Sequence, residues 1–164
     1  MKNRVLILLL IAGMLLTVSC SKDDSETTEP VPVPEWVGSW LSAGTNVAPL
    51  LVAVFSYDSV RVEMTQNLIV RTHSHVVDGA WSTVEGTYKI TKSESGDVHT
   101  AEFNYAAFSQ TGIIQIINGT PKMMKLEVVQ TVPDIGAVPR TPETGFGSDV
   151  TLGAFNIQNY VKEN

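Results

Sequence analysis

Cysteine, basic side chains and aromatic rings are the scarce components of this chain, and each scarcity excludes something. The one thiol, Cys20, cannot form an internal disulfide, so a body exported to an oxidising compartment must be held by core packing alone. Only 11 Lys and Arg stand against 17 acids, and no basic stripe gathers anywhere; nucleic acid, which demands clustered cations to displace phosphate counterions, is not an expected partner. The long apolar run from Val5 to Leu16 covers 12 residues, short of the roughly 20 that a transmembrane helix needs. No Lys follows the glycines of Gly145-Phe146-Gly147-Ser148 as a Walker-type loop requires, and no Gly-x-Ser-x-Gly elbow presents a serine nucleophile. No cluster of titratable groups stands out, so the expectation is a non-enzymatic protein with no catalytic residue and no cofactor.

What is present begins with Lys2 and Arg4 ahead of the apolar run, the layout of a secretory signal. The run stops at Thr17-Val18-Ser19-Cys20. Leu16 to Cys20 resembles the lipobox of bacterial lipoproteins, with Thr17 where Leu is preferred. The resemblance implies that residues 1–19 are a cleaved signal peptide. It also implies that Cys20 becomes the lipid anchor, carrying diacylglycerol and palmitate, and that the membrane is a partner through that lipid. Outer-membrane attachment follows as the expected location. Ser21-Lys22-Asp23-Asp24 resembles the Lys-plus-acid signals that send such lipoproteins to the cell surface, and a merely solvated acidic tether is the competing reading. With Lys2 and Arg4 removed, the mature chain keeps 9 of its 11 basic residues against 17 acids, a net charge of −8.

Residues 20–35 combine the lipidated Cys with five acids and with Pro30, Pro32 and Pro34, and read as an extended, disordered tether. Residues 36–164 read as one domain, and their apolar period is two. Val60, Val62 and Met64 alternate with Arg61, Glu63 and Thr65; Ala101, Phe103 and Tyr105 share a face; Met124, Leu126 and Val128 alternate with Lys125 and Glu127. Turns are expected at Gln66-Asn67, at Ser93 to Asp97, and at Asn118-Gly119 as a type I′ hairpin. Gly86 interrupts the parity of Val84, Tyr88 and Ile90 and marks a bend or bulge. Trp36 to Ala43, Leu50 to Tyr57 and Ala154 to Val161 supply three more strand candidates, and no amphipathic helix is evident. The fold class is all-β, an antiparallel up-and-down barrel of about eight strands. Between Thr131 and Asp149 the prolines and glycines predict a long loop, placed to cover one end.

Gly38-Ser39-Trp40, opening the first strand after a Pro-rich lead-in, resembles the Gly-x-Trp signature of lipocalins. Glu127 to Thr131 and Gly145 to Ser148 add a likeness to divergent lipocalin-like lipoproteins. The resemblance implies an eight-stranded barrel with Trp40 closing one end and the other mouth admitting a small apolar or amphipathic ligand. Lys162 is the nearest stand-in for the Arg that stacks on that Trp in the family. Ligand-binding candidates are Trp40, Tyr88, Phe103, Tyr105, Met124 and Leu126; the same aromatics, with Trp36 and Trp81, would serve equally to fill a solid barrel. A solid barrel using the long loop as a protein-interaction surface is the alternative function. His73 and His75 share a strand face, but Arg71 shares it too, and no metal site is expected.

Overall fold

The computed structural model describes Pro32–Asn164. The signal peptide, Cys20 and the tether up to residue 31 lie outside the described residues.

Eight strands form one closed barrel in chain order, each antiparallel to its neighbours: β1 (Gly38–Ala43), β2 (Tyr57–Met64), β3 (Ile69–Val76), β4 (Trp81–Thr91), β5 (Val98–Tyr105), β6 (Ser109–Ile117), β7 (Met123–Val132) and β8 (Gln158–Lys162). Closure is made by the short pairing of Trp40 with Lys162 and Leu41 with Val161, which leaves no free sheet edge. Side chains alternate across the wall as the period-two pattern requires. Val60, Val62 and Met64 on β2, Ala101 and Phe103 on β5, and Met124 and Leu126 on β7 are all buried inside.

Two glycines let the wall coil. A Cβ on Gly86 would run into the backbone of Asn104, and one on Gly112 into the backbone of Glu127. Only a residue with no side chain allows these strands to approach so closely. The expected bend at Gly86 is therefore a close approach within an unbroken β4.

The two ends of the barrel differ. At the end where β1 begins, Trp36, Trp40, Met64, Val70, Tyr88 and Met124 pack into a solid floor. Trp40 is fully buried and its indole N–H donates to the Trp36 carbonyl at 2.8 Å, so its one polar atom is satisfied. Lys162 holds its ammonium 5.0 Å from the Trp40 ring centre, and Lys92 sits 5.5 Å over Trp36. The Tyr88 hydroxyl donates to the Thr65 carbonyl at 2.6 Å, tying floor to turn.

The closing seam carries a latch on its outer side. Glu163 accepts from the Ser39 hydroxyl at 2.6 Å and from Arg61 Nε and Nη2 at 2.8 and 3.1 Å, linking the end of β8 to β1 and β2. Arg61, then Ser39, hold its carboxyl below the usual 4.5, with burial opposing. A carboxyl whose folded pKa is depressed stabilises the fold above its unfolded pKa and loses that contribution as pH falls through the folded value. Glu163→Gln is expected to lower stability by about 1 kcal/mol at neutral pH, the range of a well-formed surface ion pair. In thermal melts the difference from wild type should shrink as the pH is taken below 4.5.

Three local expectations are corrected. Leu50 to Tyr57 is not a strand: Pro49–Phe55 forms the helix α1, and only Tyr57 onward is β2. Proline at the helix start needs no donor and comes with its φ already set, and Ser56 ends the helix in the left-handed region at φ 57°. Asn118-Gly119 is not a two-residue turn, because pairing stops at Ile117 with Met123 and neither residue takes a positive φ. Pro121 lacks the N–H that a tighter ladder would use, which lengthens the connection. Trp81 points outward and is 44% exposed, against His75 at 5.1 Å and beneath Arg61 at 5.3 Å.

Candidate functional site

Above the floor the barrel is hollow. A cavity of about 560 Å³ opens at the end opposite Trp36. Its lower wall is made by Val60, Val62, Phe103 and Leu126, and its upper wall by Tyr57, Val84, Phe108 and Val128. α1 leans over the mouth with Leu50, Leu51, Val54 and Phe55, and it packs against a 3-10 turn at Gly153–Asn156. Among the described residues no Lys, Arg, His, Asp or Glu lines this cavity.

The long connection between β7 and β8 does two jobs. Ile135, Ala137, Leu152 and Asn156 reach the mouth, while Phe146 and Gly147 lie across the outside of the wall. There Lys125 sits 4.5 Å from the Phe146 ring centre, and the Gly147 N–H donates to Glu127 at 2.8 Å. Ile113 and Glu127, which face outward by parity, are buried. The loop is pinned internally as well: Asp149 accepts from the N–H groups of Thr151 and Leu152, both at 2.8 Å, and pairs with Arg140 at 3.4 Å. Those two backbone donors hold the Asp149 carboxyl below its usual value. The expected loop thus covers the outer face of β6 and β7 in addition to one end.

The cavity surface is mostly apolar, and its polar side chains come from strands all round the barrel, among them Thr72, Tyr105, Gln158 and Tyr160. The Tyr105 hydroxyl lies 2.7 Å from that of Thr72, two strands away, and passes over Gly86 to reach it. Burial raises the Tyr105 pKa, moderated by that contact. Tyr160 on β8 is pushed up further, first by burial and then by Tyr105, so both phenols stay protonated. Next to it Gln158, only 4% exposed, accepts from the Ala48 N–H at 3.2 Å. Among the described residues its Nε2 makes no well-formed hydrogen bond, although the Gln158 side chain lies close enough to the Tyr160 hydroxyl to offset part of the rise in that group's pKa.

Of the six residues expected from sequence, Phe103, Tyr105 and Leu126 line the cavity, whereas Trp40, Tyr88 and Met124 belong to the floor below it. Missed were Thr72, Gln158, Tyr160 and the α1 side chains. Gln158 and Tyr160 share the inward parity of β8, and a polar residue in step with a buried aromatic was the available signal. His73 and His75 lie on the outer face, where His73 contacts Thr83 at 2.8 Å and His75 contacts Asp58 at 2.7 Å. Among the described residues no three His, Cys, Asp or Glu gather as metal ligands. Comparison with protein-family models, with curated proteins and with solved structures returned no match.

Proposed function

We propose that this protein is an exported, lipid-anchored binding module of lipocalin type, taking a small apolar or amphipathic molecule through the open end of its barrel. The observation that carries the reading is the cavity of about 560 Å³, apolar along most of its wall and within the range of 300–1,000 Å³ typical of ligand pockets. Gly38-Ser39-Trp40 at the first strand, with Trp40 in the floor under Lys162, supports the lipocalin likeness. The short apolar leader ending at Cys20 supports attachment to the outer membrane through lipid.

Native mass spectrometry of the protein purified from its own host tests the binding function. The expected result is a retained small molecule on the order of 200–300 Da, given about 30 Å³ per water-sized group of occupied space. A single unliganded mass, together with no uptake of an apolar dye, would contradict it. Anchoring is tested by metabolic labelling with an alkynyl fatty acid: the wild type is expected in the membrane fraction with label, and Cys20→Ala without label. Label retained in Cys20→Ala would defeat the lipobox reading.

Ile135, Val138 and Phe155 are more than half exposed around the mouth and favour a second reading, a protein-interaction module docking through the β7–β8 connection. Unchanged pull-down partners after shortening that connection would remove it.

A further inference from the structure

We infer that the ligand is an uncharged amphiphile with one hydrogen-bond-accepting oxygen, seated against Gln158, Tyr105 and Tyr160 deep in the cavity; this rests on the binding-module reading above. The orientation of the Gln158 amide is fixed by its neighbour. Ala48 N–H can only donate, so Oε1 must face it and Nε2, with two N–H donors, must face elsewhere. That Nε2 is buried without a well-formed hydrogen bond among the described residues, beside the Tyr160 hydroxyl and on a side chain that lines the cavity. A buried amide donor left unmatched is costly, and a ligand acceptor removes the cost. One more donor lies nearby. Tyr105 and Thr72 share one hydrogen bond between two hydroxyls, which leaves one hydroxyl hydrogen over.

The same wall selects against charge. With no cation among the described residues of the lining and a net charge of −6 on the chain, an ionised carboxylate would enter unpaired. Burying an unpaired charge costs far more than burying an ester, ketone or amide whose oxygen meets donors. An ammonium group would meet hydroxyl and amide oxygens but no carboxylate to balance its charge. The volume suits a body on the order of 15 to 20 non-hydrogen atoms.

The test is competition at pH 7.5 against 1-anilinonaphthalene, an uncharged apolar dye, using the full chain with Cys20→Ala so that its own acyl groups cannot compete. Three competitors of equal chain length are compared: 2-dodecanone, dodecane and laurate, the last ionised at this pH. The expected order places 2-dodecanone at least about tenfold tighter than laurate. Gln158→Leu is expected to reduce the ratio of ketone to dodecane affinity by about tenfold, the effect of losing one buried hydrogen bond to a ligand. Tyr105→Phe, which keeps the ring, reduces the same ratio and carries the test alone if Gln158→Leu does not fold. Laurate binding as tightly as the ketone would overturn the inference, as would an unchanged ratio in every folded variant, while leaving the pocket reading intact. No dye uptake by the parent chain would overturn the pocket reading and the inference together.

Discussion

Replacing Trp40 by Ala is expected to destabilise the protein by about 3–5 kcal/mol, the range for deleting a large buried aromatic. The site cannot collapse to absorb the loss. Trp40 is fully enclosed by floor residues from several strands, and it belongs to β1, which pairs with both β2 and β8. Removing the ring also frees the Trp36 carbonyl from its indole donor and strips the surface beneath Lys162. Since β1 meets β8 through only two residue pairs, the seam is where the loss should be felt. Thermal denaturation followed by circular dichroism checks this, with a fall in Tm on the order of 10 °C or more for a domain of this size. Trp40→Phe, which keeps most of the packed area, should recover over half of the loss. A Trp40→Ala protein melting within a few degrees of wild type would mean that the floor is not packed as described.

The second large effect concerns binding. Val128→Trp is expected to abolish uptake of an apolar dye, weakening it by about thirtyfold or more, while leaving Tm unchanged or raised. Val128 lies in the upper wall, half-buried, packed against the core on one side and lining the cavity on the other, so a larger ring can extend into the open chamber. Filling a hollow apolar site adds contacts and burial, whereas the same ring pushed into a close-packed interior would cost about 1–3 kcal/mol. The sign of the stability change thus distinguishes a hollow barrel from a solid one. Dye titration by fluorescence and a thermal melt on the same sample supply both readings.

Much of this architecture was legible in the residues. Val60-Arg61-Val62-Glu63-Met64 can satisfy a buried face only as a strand, and with similar runs at Ala101 to Tyr105 and Met124 to Val128 it makes an antiparallel wall nearly unavoidable. Tertiary context decided what remained. Leu50 to Phe55 carries the composition of a strand, yet it follows Pro49 and has an apolar mouth to cover, so it is helical. The Asn118-Gly119 pair has the chemistry of a tight turn, overruled by Pro121 two residues on. Floor and cavity were not separable in sequence, because Trp40, Met124, Phe103 and Leu126 all obey one parity; depth along the barrel, which distinguishes them, is set by strand register. Gln158 stayed hidden because its role depends on Ala48, 110 residues earlier in the chain.

The central claim is a sealed floor under an open apolar chamber, and methyl NMR reads it directly. On titration with 2-dodecanone, the methyl groups of Val60, Val62, Leu126 and Val128 should shift in a saturable way, while those of Met64, Val70 and Met124 beneath them should not. Shifts confined to exposed Val52, Val138 and Val150, or equal perturbation of floor and wall, would contradict the account.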